Sequence, residues 1–298
     1  MALTLPPGEG SVQEGAPLSA LTTWRIGGPA TYLCRVKTEA GLSRVLAAAN
    51  ADGLPLALLG MGSNILVSDE GFPGYVVRLE GDFLRVTIDG ERVRAGGGAA
   101  LGGVCAAAAR AELSGIEAIS GIPSSIGGAV RINAGAYGGE IFDVLETVRL
   151  VSRSGERRAV DASQIRHAYR NTELVESRDI VSEAVLKLTR APKEQIEAKT
   201  RSVAEKRRGV LPSEPNAGSV FKNPKDDYAG RLIEACGLKG RTSGGALISP
   251  RHANVIVNTG GARARDVLEL MRAMRDAVAE KFSVTLVPEV ELLGLKWE

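Results

Sequence analysis

Aromatic residues are scarce. Five Phe, five Tyr and two Trp make 4% of a 298-residue chain, too few for the stacking platforms that single-stranded nucleic acids require. An excess of one charge is missing as well. Lys and Arg number 37 against 35 Asp and Glu, a net charge of +2. No overall electrostatic case for nucleic acid or an anionic membrane follows. Cysteine is limited to Cys34, Cys105 and Cys236, far apart, odd in number and without a C-x-x-C. That excludes a disulfide framework and a zinc site, and leaves small buried hydrophobes as the expected fate of all three. The N-terminus has no basic stretch followed by an apolar one, so no signal peptide is expected. The longest apolar run, Leu54 to Met61, is too short to span a bilayer. These absences together describe a soluble, cytoplasmic protein; a monomer without a bound metal is expected, although the sequence does not give the oligomeric state.

Glycine is what the chain has in excess. Its 36 residues cluster as Gly27-Gly28, Gly60 and Gly62, Gly96–Gly98, Gly102-Gly103, Gly127-Gly128, Gly138-Gly139, Gly244-Gly245 and Gly260-Gly261. Clustered glycines allow positive φ and close approach of backbone to a ligand, and many of them simply make turns.

The length suits two or three domains. After an irregular lead-in, a strand over Ala30 to Val36 is expected. Thr38 caps a helix running to about Asn50, with Leu42, Val45 and Leu46 on one face. A buried strand, Leu54 to Leu59, ends at Gly60-Met61-Gly62-Ser63-Asn64 and is followed by the apolar run Ile65 to Val67, a β-α-β outline. From about residue 80 the pattern changes. Leu84 to Ile88 and Arg92 to Ala95 alternate around Asp89-Gly90, a hairpin. A helix over about Ala100 to Leu113 follows, then the loop Ser120 to Glu140. A second hairpin spans Thr147 to Val160, and a strand covers Ile180 to Leu188. A charged helix over 194 to 208, with Pro212 and Pro215 beyond it, marks a boundary. Asp226 to Cys236 and Ala264 to Lys281 read as helices. In the second, Val267, Leu270, Met271, Met274, Val278 and Phe282 recur at 3- and 4-residue steps. A last strand is expected over Val284 to Val287, running into Pro288-Glu289-Val290 and ending near Gly294. The expected divisions are 1–79, 80–195 and 196–298.

Three stretches carry candidate chemistry. Gly60-Met61-Gly62-Ser63-Asn64 sits at a strand end, where free N–H groups and the Ser63 and Asn64 side chains suit a phosphate. No Gly-Lys-Ser/Thr follows, so it is not a Walker A loop, and it is not the Rossmann fingerprint. The spacing leaves a plain turn and a diphosphate cradle both open. The Gly121–Gly139 segment is rich in glycine and poor in charge, fitting either an extended polar ligand or an Ω-type loop packed on itself. Asn216-Ala217-Gly218-Ser219-Val220-Phe221-Lys222-Asn223-Pro224 places an accessible serine behind two small residues, which by itself is ordinary loop-to-strand punctuation. Ser219 as a nucleophile would need His167 or His252 as base, and no G-x-S-x-G elbow supports that. Arg170 follows Tyr169, and its plain reading is a surface ion pair. Glu289 lies between Pro288 and Val290 in apolar surroundings, so its carboxylate must be solvated, paired or poised.

With these residues in view, the chain resembles the UDP-N-acetylenolpyruvoylglucosamine reductase (MurB) family of peptidoglycan precursor synthesis. The resemblance runs from about Thr22 to Gly294. It rests on Gly60 to Asn64, Gly121-Ile122-Pro123, Asn133-Ala134-Gly135-Ala136-Tyr137-Gly138, Tyr169-Arg170, Gly218 to Pro224, His252-Ala253-Asn254 and Pro288-Glu289-Val290, in that order. It implies an α+β protein. Two α+β subdomains would form the FAD-binding fold shared with vanillyl-alcohol oxidase-like flavoproteins, with a C-terminal α+β substrate domain. It implies FAD as cofactor, NADPH as hydride donor, and reduction of the enolpyruvyl ether of UDP-N-acetylglucosamine to UDP-N-acetylmuramate.

The residue roles follow from the same resemblance. Gly60, Met61, Gly62, Ser63, Asn64, Gly121, Ile122, Pro123, Ser124, Ser125, Gly128, Asn133, Gly135, Ala136 and Tyr137 would face FAD. Ser219 would be the general acid delivering a proton to C2 of the enolpyruvyl group. Arg170 and Glu289 would stabilise the enolate formed when C3 is reduced. A permanently charged planar fork suits Arg170 to that task, whereas Glu289 would have to be protonated or share a hydrogen. An alcohol is a poor acid, so a cation such as Lys222 would have to support its alkoxide. Tyr169, Arg207, Arg208, Lys222, Asn223 and His252 would contact substrate, the basic ones toward its diphosphate. The family usually carries glycine where this chain has Ser124. The chain also lacks room near Tyr169 to Ile180 for the inserted tyrosine loop of longer members, which places it with the shorter, type II branch. Two other readings compete: a Ser-His-Glu hydrolase using Ser219, His252 and Glu289, and a flavin- or nucleotide-binding module without catalysis.

Overall fold

The Asp89-Gly90 signal folds as a hairpin, but one residue off the expected register. In the computed structural model, which describes residues 3–297, Asp89 pairs with Arg92, so Gly90 and Glu91 are the turn. Gly90 stands first in that turn at φ +58, where a two-residue hairpin accepts glycine most readily. The hairpin Val86–Asp89 and Arg92–Gly96 ends a five-stranded antiparallel sheet. Its order is Arg157–Asp161, Leu145–Val151, Ile180–Lys187, Arg92–Gly96, Val86–Asp89. The helices Leu101–Arg110 and Ile126–Arg131 contribute Leu101, Val104, Ile126 and Val130 to the core that includes Val93, Leu150 and Leu186.

A second sheet, in the order Gly10–Pro17, Pro29–Val36, Phe72–Leu79, Leu56–Leu58, carries the helix Glu39–Asp52. Thr38 caps that helix as expected, its hydroxyl accepting from Gly41 N at 3.2 Å. Leu42, Val45 and Leu46 join Tyr75 and Val77 in a core of their own. The parallel partner of Leu56–Leu58 is Phe72–Leu79. Ile65–Val67, the apolar run that follows, pairs in parallel with Glu291–Leu293, the tail of the segment expected to end near Gly294. The strand expected over Val284 to Val287 does not form; Pro288 bridges Phe221 there.

The chain divides into two compact units. One comprises the chain up to Glu14, Tyr32–Met61 and Gly74–Arg207. The other comprises Gly15–Thr31, Gly62–Pro73 and everything from Arg208. The first holds the two cores just described. The second is built on the antiparallel sheet Asn216–Ser219, Val255–Asn258, Ala246–Ile248, Thr242–Ser243. The helix Ala264–Phe282 buries Val267, Leu270, Met271, Met274 and Val278, the stripe its 3-and-4 spacing dictates. The methionines are core filling. N-terminal residues complete this unit. Trp24 is fully buried and donates from Nε1 to Ile256 O at 2.7 Å. The Asp69 carboxylate accepts from Ala264 N at 2.8 Å and Arg265 N at 3.2 Å, supplying the helix with acceptors that its own N-cap, Arg263, lacks.

Candidate active site

In the first unit the glycine-rich segment spends much of its backbone on itself. Ile122 N donates to Ile119 O, Ser124 N to Ile122 O, Ile126 N to Ala99 O and Gly127 N to Gly97 O, all at 2.8–3.0 Å. The free N–H groups expected along Gly121 to Gly128 are therefore largely taken, and the packed-loop reading accounts for this half of the segment. Close approach is nonetheless required at Gly60. A Cβ there would lie 2.6 Å from the Ser125 hydroxyl, which accepts from Gly128 N at 3.2 Å as cap of the helix Ile126–Arg131. Glycine at 60 keeps the strand end against that cap. Ser124 turns its hydroxyl onto Ser125 O at 2.9 Å, and its φ is not positive. Nothing in the backbone demands glycine at position 124.

The other half of the segment is different. Asn133 and Tyr137 both take positive φ, +48 and +52, at about 1 kcal/mol each. Asn133 is fully buried and donates from Nδ2 to Ala168 O at 3.3 Å. Its Oδ1 is buried and finds no partner among the described residues. A buried acceptor left so costs about 1–3 kcal/mol unless a ligand donates to it. This open acceptor is what a donor on a bound polar cofactor would meet here, and it fits FAD.

Ala168 belongs to the hairpin His167–Ala168 and Asn171–Thr172, whose two-residue turn is Tyr169-Arg170. Arg170 stands second in that turn at φ +52, where glycine or asparagine is the ordinary choice. Its guanidinium lies 5.3 Å from the Tyr169 ring centroid. It donates to Gly135 O and, at 3.4 Å, to Asn133 O. Arg170 thus reaches back to the backbone of the segment Asn133–Gly135. Arg207 also reaches this region: a Cβ on Gly121 would come within 2.9 Å of its Cδ. Burial pushes the Arg207 guanidinium below its ordinary value, the Tyr137 phenol acting against that. The other histidine, His167, stacks on Phe142 with centroids 4.2 Å apart and has a structural role.

In the second unit Ser219 is aimed by a bulge. Asn216 opposes Val257 and Ser219 opposes Val255, so the strand carries one extra residue. Gly218 absorbs it at φ +72, its N–H donating to Asn216 Oδ1 at 2.8 Å. The next residues are held on both sides. Val220 N donates to Asn254 O, Glu289 N to Val220 O and Lys222 N to Val287 O, at 2.8–2.9 Å. The Asn254 side chain takes Phe221 N at 3.1 Å and gives to Phe221 O at 2.8 Å. Ser219 is half-buried, and its hydroxyl has no hydrogen-bond partner among the described residues. Glu289 is fixed one hydrogen bond from the neighbour of Ser219. Asn64 donates from Nδ2 to Glu289 O at 3.1 Å, and its backbone carbonyl accepts from Glu291 N at 3.0 Å. Asn223 Oδ1 caps Ala229 N at 3.1 Å, which leaves its Nδ2 for a ligand. Arg208 is exposed, its carbonyl accepting from Arg251 at 3.3 Å.

Comparison with known proteins identifies the family. Residues 30–161 match the FAD binding domain, and residues 211–293 match the C-terminal domain of UDP-N-acetylenolpyruvoylglucosamine reductase. The reductase 2 of that name from Symbiobacterium thermophilum is 44% identical over 286 residues, covering 96% of this chain and 93% of the relative. The Carboxydothermus hydrogenoformans reductase is 41% identical, over 95% of this chain and 94% of its own. The chain belongs to the UDP-N-acetylenolpyruvoylglucosamine reductase family. The crystal structure of the Thermus caldophilus reductase superposes with a TM-score of 0.82 at 40% identity, covering 95% of this chain and 98% of that one.

Within this reductase family member, His252 shows why the hydrolase reading fails. Its Nδ1 accepts from Asn254 N at 3.2 Å, a bond that assigns the proton to Nε2. The neutral ring then has no open lone pair for a serine proton; it is a donor. Gly230 leaves room for the ring, since a Cβ there would sit 3.1 Å from His252 Cε1. Burial, with the Lys239 ammonium, holds the His252 pKa below its ordinary value. A lowered folded-state pKa stabilises the fold above the unfolded value and loses that contribution as pH falls. Stability should therefore decline as pH drops below about 6.5, and the decline should flatten in His252→Gln. Denaturant midpoints at several pH values measure it; identical slopes in both proteins would contradict the assignment. Asn254 was visible only as part of a motif, with no role. Its clamp on Phe221 depends on a partner 33 residues away, which no local pattern encodes.

Proposed function

We propose that the chain reduces the enolpyruvyl ether of UDP-N-acetylglucosamine to UDP-N-acetylmuramate, with FAD as resident cofactor and NADPH as reductant. The observation that carries this reading is Ser219. A glycine bulge turns out a hydroxyl with no hydrogen-bond partner among the described residues, in a segment hydrogen-bonded to the one that bears Glu289. When bound, FAD supplies the hydride that C3 of the enolpyruvyl group receives. Gly60, Met61, Gly62, Ser63, Gly121, Ile122, Pro123, Ser125, Gly128, Asn133, Gly135, Ala136 and Tyr137 would hold it, with the buried Asn133 Oδ1 accepting from a donor on it.

Ser219 delivers its proton to C2. The alkoxide it becomes needs a positive neighbour, and Lys222, half-buried three residues on, is the cation we assign to it. Arg170 faces the carboxylate end of the developing enolate with a charge that no accessible pH removes. Glu289 helps that anion only as the acid form or by sharing a proton. Asn223 through Nδ2, His252 through Nε2–H, and Tyr169, Arg207 and Arg208 bind the sugar nucleotide. We read the enzyme as a cytoplasmic monomer acting on small molecules. Among the described residues no helix is long and apolar enough to cross a membrane.

The test is NADPH oxidation by the purified, FAD-loaded chain. It should be slow alone and accelerate on adding the enolpyruvyl sugar nucleotide, with one NADPH consumed per substrate. A protein that takes up no flavin, or whose NADPH consumption ignores the sugar nucleotide, would overturn the reading.

A further inference from the structure

The turn that carries Arg170 does not stand alone. Thr172, on the returning strand of the hairpin, is 1% exposed. Its hydroxyl donates to Arg131 O at 2.6 Å and accepts from Leu174 N at 3.2 Å. Arg131 is the last residue of the helix Ile126–Arg131, immediately ahead of Asn133 and Gly135, the residues whose carbonyls hold the guanidinium. Asn133 closes the same arrangement from its side by donating to Ala168 O. Side-chain hydrogen bonds of Asn133, Arg170 and Thr172 thus join 131–135 to 168–172, and that of Thr172 lies at the base of the hairpin, away from the strained turn.

We infer that Thr172 is a positioning residue for Arg170. Its hydroxyl fixes the arginine-bearing hairpin in register with the segment Asn133–Gly135, so that the guanidinium is oriented before substrate arrives. This rests on the role given to Arg170 above. The physical need is specific. A two-residue turn with arginine at φ +52 is not the conformation the sequence would choose unaided. A long side chain on such a turn is aimed only if the turn's base is held. A shift of about 1 Å in a group that meets the transition state can cost on the order of 100-fold in rate.

The experiment compares Thr172→Val, which keeps the shape and removes the hydroxyl, with Thr172→Ser, which keeps the hydroxyl. Thr172→Ala runs in parallel in case the valine variant does not fold. Each is loaded with FAD, and two half-reactions are timed: reduction by NADPH, and reoxidation by the enolpyruvyl sugar nucleotide. We expect FAD affinity and the NADPH step to stay within about twofold, and the substrate step to fall about 10- to 100-fold in Thr172→Val and Thr172→Ala. Thr172→Ser should restore it. The same substitutions in an Arg170→Ala background should cost nothing further, because residues acting through one group do not add. Equal loss in both half-reactions, no rescue by serine, or full additivity with Arg170→Ala would each overturn the inference. If Arg170→Ala alone leaves the substrate step unchanged, it is the role of Arg170 that has failed.

Discussion

Ser219→Ala should be reduced by NADPH as fast as the parent protein and should then fail to pass its electrons on. The flavin absorption bleaches normally, and the enolpyruvyl sugar nucleotide restores it about 100- to 10,000-fold more slowly, the range a positioned general acid contributes. The separation of the two steps follows from geometry. The Ser219 hydroxyl bonds nothing among the described residues, and its removal leaves the bulge at Gly218 and the Asn254 clamp on Phe221 in place. Stability and flavin content should thus be those of the parent. Ser219→Cys, which keeps a transferable proton, should lose less. Rapid-mixing absorbance in the two half-reactions measures this. If alanine at 219 leaves the substrate step intact, the proton comes from elsewhere and the reading of the serine is wrong.

The second large effect is expected at Arg170. Arg170→Ala removes a charge from the enolate and should slow the substrate step by about 100- to 1,000-fold, as loss of one preorganised donor does. It also removes the guanidinium's bonds to the carbonyls of Asn133 and Gly135. A stability loss of about 1–3 kcal/mol should accompany it, because both residues are buried. Lysine should not rescue the step: an ammonium cannot reproduce a planar fork that spans two carbonyls and stacks on Tyr169. FAD should be retained. A protein that folds but loses FAD would move Arg170 from the substrate to the cofactor.

These two residues show what the sequence could and could not convey. Local patterns were readable wherever one element decides its own structure. The apolar stripe of Ala264–Phe282, the Thr38 cap and the Asp89-Gly90 turn, displaced by one residue, belong to that class. Pairing between distant segments was not readable. Ile65–Val67 looked like the next strand of a β-α-β unit because it follows one, yet its partner is Glu291–Leu293. Val284 to Val287 has the composition of a strand but is followed by a bridge at Pro288, and the ladder begins only at Glu291. Glycine clusters were ambiguous for the same reason. Gly127 serves the protein's own backbone, whereas Gly60 yields space to a cap, and only the neighbours tell them apart. The positive φ of Arg170 had no local signal at all. It comes with the second position of a two-residue turn, and the partners of the guanidinium, Asn133 O and Gly135 O, lie more than thirty residues earlier.

The central claim is that this chain hands electrons from NADPH to an enolpyruvyl sugar nucleotide through a bound flavin. The most direct measurement is anaerobic. The FAD-loaded protein is bleached with one equivalent of NADPH and then titrated with the sugar nucleotide. The account predicts that the oxidised spectrum returns fully at one equivalent, with UDP-N-acetylmuramate as the product. A flavin that stays bleached until oxygen is admitted would contradict it.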